Sequence, residues 1–327
     1  MAAPAPAKLA DPAPGATPQR SRPDPFAAMN YRHSFHAGNV GDVLKHVALL
    51  ELLRLLTAKD GALLYLDTHA GAGGYDLGGD AARTGEWQQG VGRLWGAASA
   101  PPAVARWLAA VASWNEGGKV VHRYPGSPGL AADALRGQDR LLLCESQPAV
   151  AEALRKRLAG HDRRVQVVEG DGYHALKAHL PPPERRGLVL VDPPYEAQQA
   201  EFDAIIAALR EGLRRFPTGV YAIWYPIKQA SAVAHFLRQL GDLPVKSALT
   251  LELWVRATDS PLRMNGSGLA VLNPPWKLDQ EAASSWLPWL ARELAQDRGA
   301  GWRCHWLRRE AAAQPAKPGQ APDRGRP

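Results

Sequence analysis

The chain has 327 residues, 39 of them basic and 32 acidic, for a formal net charge of +7. With 46% apolar and 22% charged residues it is neither a wholly disordered chain nor a fibrous repeat, and it is long enough for one large domain or two smaller ones. Cys144 and Cys304 are its only cysteines, too few for a disulfide framework or a zinc-finger set and in keeping with a reducing cytoplasm.

Residues 1–25 hold seven prolines among alanines without apolar periodicity, so residues 1–28 are expected to be a disordered extension. They lack the continuous apolar stretch of a secretory signal, and patterned sequence begins at Met29, an alternative start. Residues 311–327 read as a second loose tail, which leaves a body over 29–310. Three of the seven net charges sit in these ends. The remaining four permit an anionic partner without identifying one. Arginine pairs at 163–164, 185–186, 214–215 and 308–309 read as solvated faces.

Asn39 is placed to cap a helix running to about Ala58. Short apolar runs follow at 63–67, 141–145, 165–171, 187–192 and 219–224, separated by helical stretches such as 147–159 and 198–215. Continuous apolar strands alternating with helices predict a parallel sheet covered on both faces. Runs at 248–255 and 268–273, linked through Asn265-Gly266, predict a closing antiparallel pair. The fold class is α/β, doubly wound and Rossmann-like. No run of about 18 apolar residues could form a membrane-spanning helix.

One spacing is abnormal. In a nucleoside-binding βαβ unit the acid that holds the ribose follows the glycine loop by about 20 residues. Here Asp67 and Glu145 are 78 positions apart. A helical insert is therefore expected over about 76–125, with its own core and with Trp87, Trp95, Trp107 and Trp114 serving packing rather than base stacking.

Asp67-Thr68-His69-Ala70-Gly71-Ala72-Gly73-Gly74 ends the first strand, and its glycines let the backbone approach a ligand. Asp67, Glu145 and Asp171-Gly172 would line the crevice where open α/β sheets bind ligands, with Glu145 suited to two ribose hydroxyls. A G-x-G-x-x-G spacing is missing, which argues against a dinucleotide. The most specific signal is Asp192-Pro193-Pro194-Tyr195 after the fourth strand. A carboxylate, carbonyl oxygens and an aromatic ring converge there, as an exocyclic amine on a stacked base requires. Asn273-Pro274-Pro275-Trp276 has the same form, but it ends the closing pair and is expected to be structural. His46 and His69 are placed for cofactor contact, His33 and His36 for the surface, and no complete metal-ligand set accompanies them.

The strings Tyr31-Arg32-His33-Ser34-Phe35-His36-Ala37-Gly38-Asn39 and Asp42-Val43-Leu44-Lys45-His46 resemble the opening of the RlmJ family. So do 66–73, Tyr124-Pro125-Gly126-Ser127-Pro128, Asp192–Tyr195 and 273–278, and the likeness extends over about 29–295. The resemblance implies an S-adenosylmethionine-dependent methyltransferase fold with a small inserted helical subdomain. It implies transfer to the N6 of one adenine in large-subunit (23S) ribosomal RNA. It also implies cofactor contacts by His46, His69, Ser127, Glu145, Asp171 and Gly172, catalysis by Asp192, and Tyr31 near the target base.

Asp192 and the Pro193 carbonyl would each accept one N–H of the adenine amine, with Tyr195 against the flipped base. A monomer in the cytoplasm is expected. Competing readings are a DNA adenine or protein-glutamine methyltransferase, which need the same acceptors, and a non-catalytic RNA-binding assembly factor.

Overall fold

A computed structural model describes residues 35–116, 118–160, 162–228, 230–257 and 264–310. The expected extension 1–28, the start at Met29, Tyr31, His33 and the tail 311–327 lie outside the described residues.

Helix α1 (Val40–Thr57) opens the described body and leads to β1 (Leu64–Asp67). The inserted stretch then runs through β2 (Gly74–Asp76), α2 (Asp80–Thr84), α3 (Glu86–Gln89), α4 (Val91–Leu94), α5 (Pro102–Ser113) and β3 (Arg123–Pro125). Next come α6 (Ser127–Ala134), β4 (Arg140–Glu145), α7 (Pro148–Arg157), β5 (Val165–Glu169), α8 (Gly172–His179), β6 (Gly187–Val191) and α9 (Gln198–Arg215). The chain continues through β7 (Val220–Ile227), α10 (Ala230–Gly241), β8 (Ala248–Trp254), β9 (Gly266–Leu272), α11 (Leu278–Glu281), a π-turn (Ala282–Trp286), α12 (Leu287–Glu293) and β10 (Gly301–Arg308).

Eight strands form one sheet in the order β10-β8-β9-β7-β6-β1-β4-β5. The five from β5 to β7 are parallel, and β9, β8 and β10 continue the sheet antiparallel. Two differences from the sequence reading matter. The Asn265-Gly266 pair is not a turn: Asn265 already bonds Ile227 and Val255, and β9 begins at Gly266. Moreover β9 is not the last strand, since β10 adds an edge beyond β8.

The alternating direction of strand side chains divides the core in two. Tyr65, Leu141, Leu143, Leu188 and Leu190 face α1, α5, α6 and α12, whereas Leu64, Leu66, Leu142, Val189 and Val191 face α8, α9 and α10. Helix α1 is buried almost all round as far as Leu53. Its start is fixed by the Asn39 side chain, which accepts from the Asp42 amide at 3.0 Å.

The helices of the insert do not enclose a separate core. Val104, Trp107 and Val111 of α5 join the same apolar cluster as α1, and Trp107 meets Tyr124 edge-on at 6.5 Å. The other insert tryptophans also pack or bond: Trp114 donates to Asp133, and Trp95 to the Lys119 carbonyl. At the root of the insert, β2 and β3 pair antiparallel, Gly74 with Pro125 and Asp76 with Arg123. No helix among the described residues is long and apolar enough to cross a membrane.

Candidate active site

Four acids lie at or just past the carboxyl ends of four adjacent parallel strands: Asp171 after β5, Glu145 on β4, Asp67 on β1 and Asp192 after β6. Parallel strands bring all four to the same end of the sheet, where open α/β folds form their ligand crevice. The loop after β1 is stitched to both neighbours, with Thr68 N donating to Leu190 O and Ala70 N to Cys144 O.

Asp67 does not face that crevice as an open ligand. It is fully buried, and its carboxylate accepts from Tyr65 Oη at 2.8 Å, Ser127 Oγ at 2.7 Å and the His69 amide at 3.3 Å. Burial lifts its pKa to about 6, against the opposing hydrogen bonds from Ser127 and Tyr65. Its effect is to tie the first residue of α6 to the glycine loop. Neighbouring His69 is held neutral, its pKa lowered by burial to about 4. Its ring pairs with the Thr68 hydroxyl at 2.8 Å and meets Tyr173 edge-on at 5.1 Å. His46 is buried, with Nδ1 2.8 Å from the Tyr124 hydroxyl.

Glu145 accepts from the Gly71 amide at 3.0 Å with one oxygen and from the Gln147 amide at 2.8 Å with the other. A carboxylate has about four lone-pair sites, so two stay available for a pair of vicinal hydroxyls. Asp171 is exposed and caps α8 through the Tyr173 amide at 2.8 Å. Gly172 has a steric reason to be glycine, because a Cβ there would lie 1.8 Å from the Thr68 carbonyl oxygen. The donor set fits a ribose-bearing cofactor. Glu145 would take the hydroxyls, and the backbone of 70–74 would stand close to the cofactor's charged tail.

On the other side of Asp67, the Asp192 carboxylate lies 2.5 Å from the ammonium of Lys45, which also bonds Asp42 at 2.8 Å. Lys45 is only 3% exposed. Burial works against its charge, but Asp192 and then Asp42 outweigh that penalty and raise its pKa above the ordinary lysine value. Pro193 is buried in the turn that follows. Tyr195 is only 6% exposed; it donates to the Trp224 carbonyl, and its ring packs against Phe202 at 5.8 Å and Trp224 at 5.7 Å. It braces the turn and offers little free face to a base. Trp224, partly exposed and 5.8 Å from the Lys45 ammonium, is the aromatic that walls this part of the crevice.

A family model described as ribosomal RNA large subunit methyltransferase D, RlmJ, matches residues 60–308. The chain belongs to the RlmJ family. It is 41% identical over 280 residues to ribosomal RNA large subunit methyltransferase J of Haemophilus influenzae, covering 85% of this chain and 99% of that one. The Escherichia coli protein of the same name is 42% identical over 267 residues, 81% of this chain and 94% of its own length. A crystal structure of a Legionella pneumophila protein superposes with a TM-score of 0.75 at 33% identity, covering 83% of this chain and 98% of that one.

Of the residues expected at the site, His46, His69, Ser127, Glu145, Asp171, Gly172, Asp192, Pro193 and Tyr195 all lie at this end of the sheet. Asn273 lies at the opposite end. Strand β9 runs against β7, so Leu272 pairs with Tyr221 near the start of β7, and Asn273 Nδ2 donates at 2.9 Å to Pro217 O and Gly219 O. Two residues escaped the sequence reading, Lys45 and Trp224. The Lys45 pairing left no local signal, since 147 positions separate it from Asp192. Trp224 stood within an expected strand and was read only as apolar.

Proposed function

We propose that this RlmJ-family enzyme transfers a methyl group to the N6 amine of a specific adenine in large-subunit ribosomal RNA, acting on a base turned out of its stack. Family membership makes the chain a methyltransferase that uses S-adenosylmethionine. The observation that supports the adenine reading is the Asp192 carboxylate. It stands beside β1, is fixed in place by Lys45, and is followed by a proline that adds a carbonyl acceptor.

When bound, the cofactor supplies an electrophilic methyl group on a good leaving group, so orientation is most of what the protein must add. Glu145 would anchor the ribose and His69, Ser127, Asp171 and Gly172 the remainder, with His46 packed behind. An adenine amine is a weak nucleophile because its lone pair is delocalised into the ring. One Asp192 oxygen is held by Lys45. The other would accept one N–H and the Pro193 carbonyl the second, which favours a pyramidal nitrogen with a localised lone pair. The proton released as the methyl group arrives passes to that free Asp192 oxygen. Tyr195 would hold the turn rigid, and Tyr31, which lies outside the described residues, is assigned to the target base on the family resemblance alone.

Action as a monomer in the cytoplasm completes the reading. The same acceptors would serve DNA or glutamine amides, but the family's ribosomal name favours RNA. The deciding experiment offers labelled S-adenosylmethionine separately with protein-free ribosomal RNA, assembled subunits, duplex DNA and total protein. Label is expected as N6-methyladenosine in large-subunit RNA, more in naked RNA than in finished subunits. Label confined to DNA or protein refutes the reading.

A further inference from the structure

Strand β7 outruns its neighbour. Val191, the last residue of β6, pairs with Ile223, so residues 224–227 continue past the end of β6 and there bond only β9. At about 3.3 Å per residue this overhang is roughly 13 Å long. The turn that leaves β6 folds back against it: Tyr195 donates to the Trp224 carbonyl, and Gln198 Nε2 to the Pro226 carbonyl at 3.3 Å.

Lys228 follows at the tip of the overhang. Its Nζ donates to the Tyr195 carbonyl at 3.2 Å, which fixes a cation over the turn that carries Asp192. The side chain is exposed, and that bond is its one hydrogen bond among the described residues. No described carboxylate forms an ion pair with it. Two of its three N–H donors are therefore left to face solvent. Lys45, the other ammonium at the turn, is buried between two carboxylates and has no such capacity. Several described arginines are likewise committed to carboxylates, as Arg136 is to Asp139 and Arg303 to Glu252.

A base that enters the crevice beside Asp192 leaves its sugar and phosphates at the rim, and lysines bind phosphates as point charges while base contacts specify. We propose that Lys228 binds a backbone phosphate of the target nucleotide and so holds the extruded adenosine at the mouth of the crevice. The assignment rests on an RNA adenine as target.

The test compares full-length wild type with Lys228→Met and Lys228→Arg across a salt series, measuring half-saturating RNA in single-turnover methylation and RNA affinity directly by anisotropy. Losing one phosphate contact should lower the slope of log affinity against log salt by about 0.7–0.9 in Lys228→Met. It should weaken RNA binding about three- to tenfold near 0.1 M salt while leaving S-adenosylmethionine affinity at the wild-type value, and Lys228→Arg should restore the slope. A wild-type slope in Lys228→Met, with any loss confined to turnover or melting temperature, overturns the proposal and leaves Lys228 as a clamp on the turn. If wild type methylates no adenine in RNA, the target reading fails by itself. The anisotropy slopes still decide whether Lys228 meets a phosphate.

Discussion

The ammonium of Lys45 stands 2.5 Å from Asp192 and 2.8 Å from Asp42, one cation buried between two anions. Asp42 keeps its own hold on the ammonium, so the cation does not depend on Asp192 alone. The Lys45 contact gives Asp192 a structural role beside its proposed reactive one, and that role is invisible in the Asp-Pro-Pro-Tyr string.

Asp192→Asn should therefore keep cofactor affinity and lose methyl transfer by orders of magnitude. Asp192→Ala should lose transfer and stability together. Breaking a buried pair typically costs about 3–5 kcal/mol, less here because Asp42 remains to hold the ammonium. Thermal melts alongside turnover at saturating cofactor check both. An alanine variant that melts like wild type would show that the Lys45 contact contributes nothing to stability.

Glu145→Ala removes the proposed acceptor of two ribose hydroxyls and also releases the Gly71 and Gln147 amides. With charged hydrogen bonds worth roughly 1.5–3 kcal/mol each, cofactor affinity should fall at least tenfold by calorimetry. Unchanged affinity in a folded variant would take Glu145 out of the site.

Asp67 gives a pH dependence whose sign can be worked out. Its folded pKa, about 6, lies above the ordinary 3.8, so between those values the folded state binds the extra proton. Its contribution to stability accordingly becomes more favourable as pH falls through 6 towards 3.8, and less favourable as pH rises. Asp67→Asn cannot titrate. The melting temperature of wild type minus that of the variant should therefore increase from pH 7.5 to pH 5. A constant difference would mean that Asp67 ionises normally.

Asn273→Ala should act on folding alone. It loses two hydrogen bonds and places alanine at a φ of 52°, where asparagine is better tolerated, for a cost of about 2–3 kcal/mol. Residual turnover should follow the fraction folded. A stable but inactive variant would move attention to the second Pro-Pro turn.

The parallel half of the sheet was legible because its central strands are continuous apolar runs ending at turns, and β1, β4 and β6 are buried along nearly their whole length. The Asn39 cap was legible for the same local reason. Strands β2 and β3 have three residues each, too few to show a period. Strand β10 did carry a signal in the alternation of Trp302, Cys304 and Trp306 towards the core with Arg303 and His305 between them. Reading Asp67 as a crevice ligand failed because type and strand position cannot reveal that Tyr65 and Ser127 have already claimed its carboxylate.

The short ribbon at the root of the insert also bears on how the chain folds. Strands β1 and β4 are sheet neighbours, yet the whole insert separates them. Joining them directly means closing a loop of about 70 residues, whereas once the ribbon has closed its own loop of about 46 only about 20 remain, which lowers the cost of that later step by roughly 1 kcal/mol. With the ribbon formed, β1 and β4 become near neighbours along the chain, so the insert adds little to the effective separation of the two central strands.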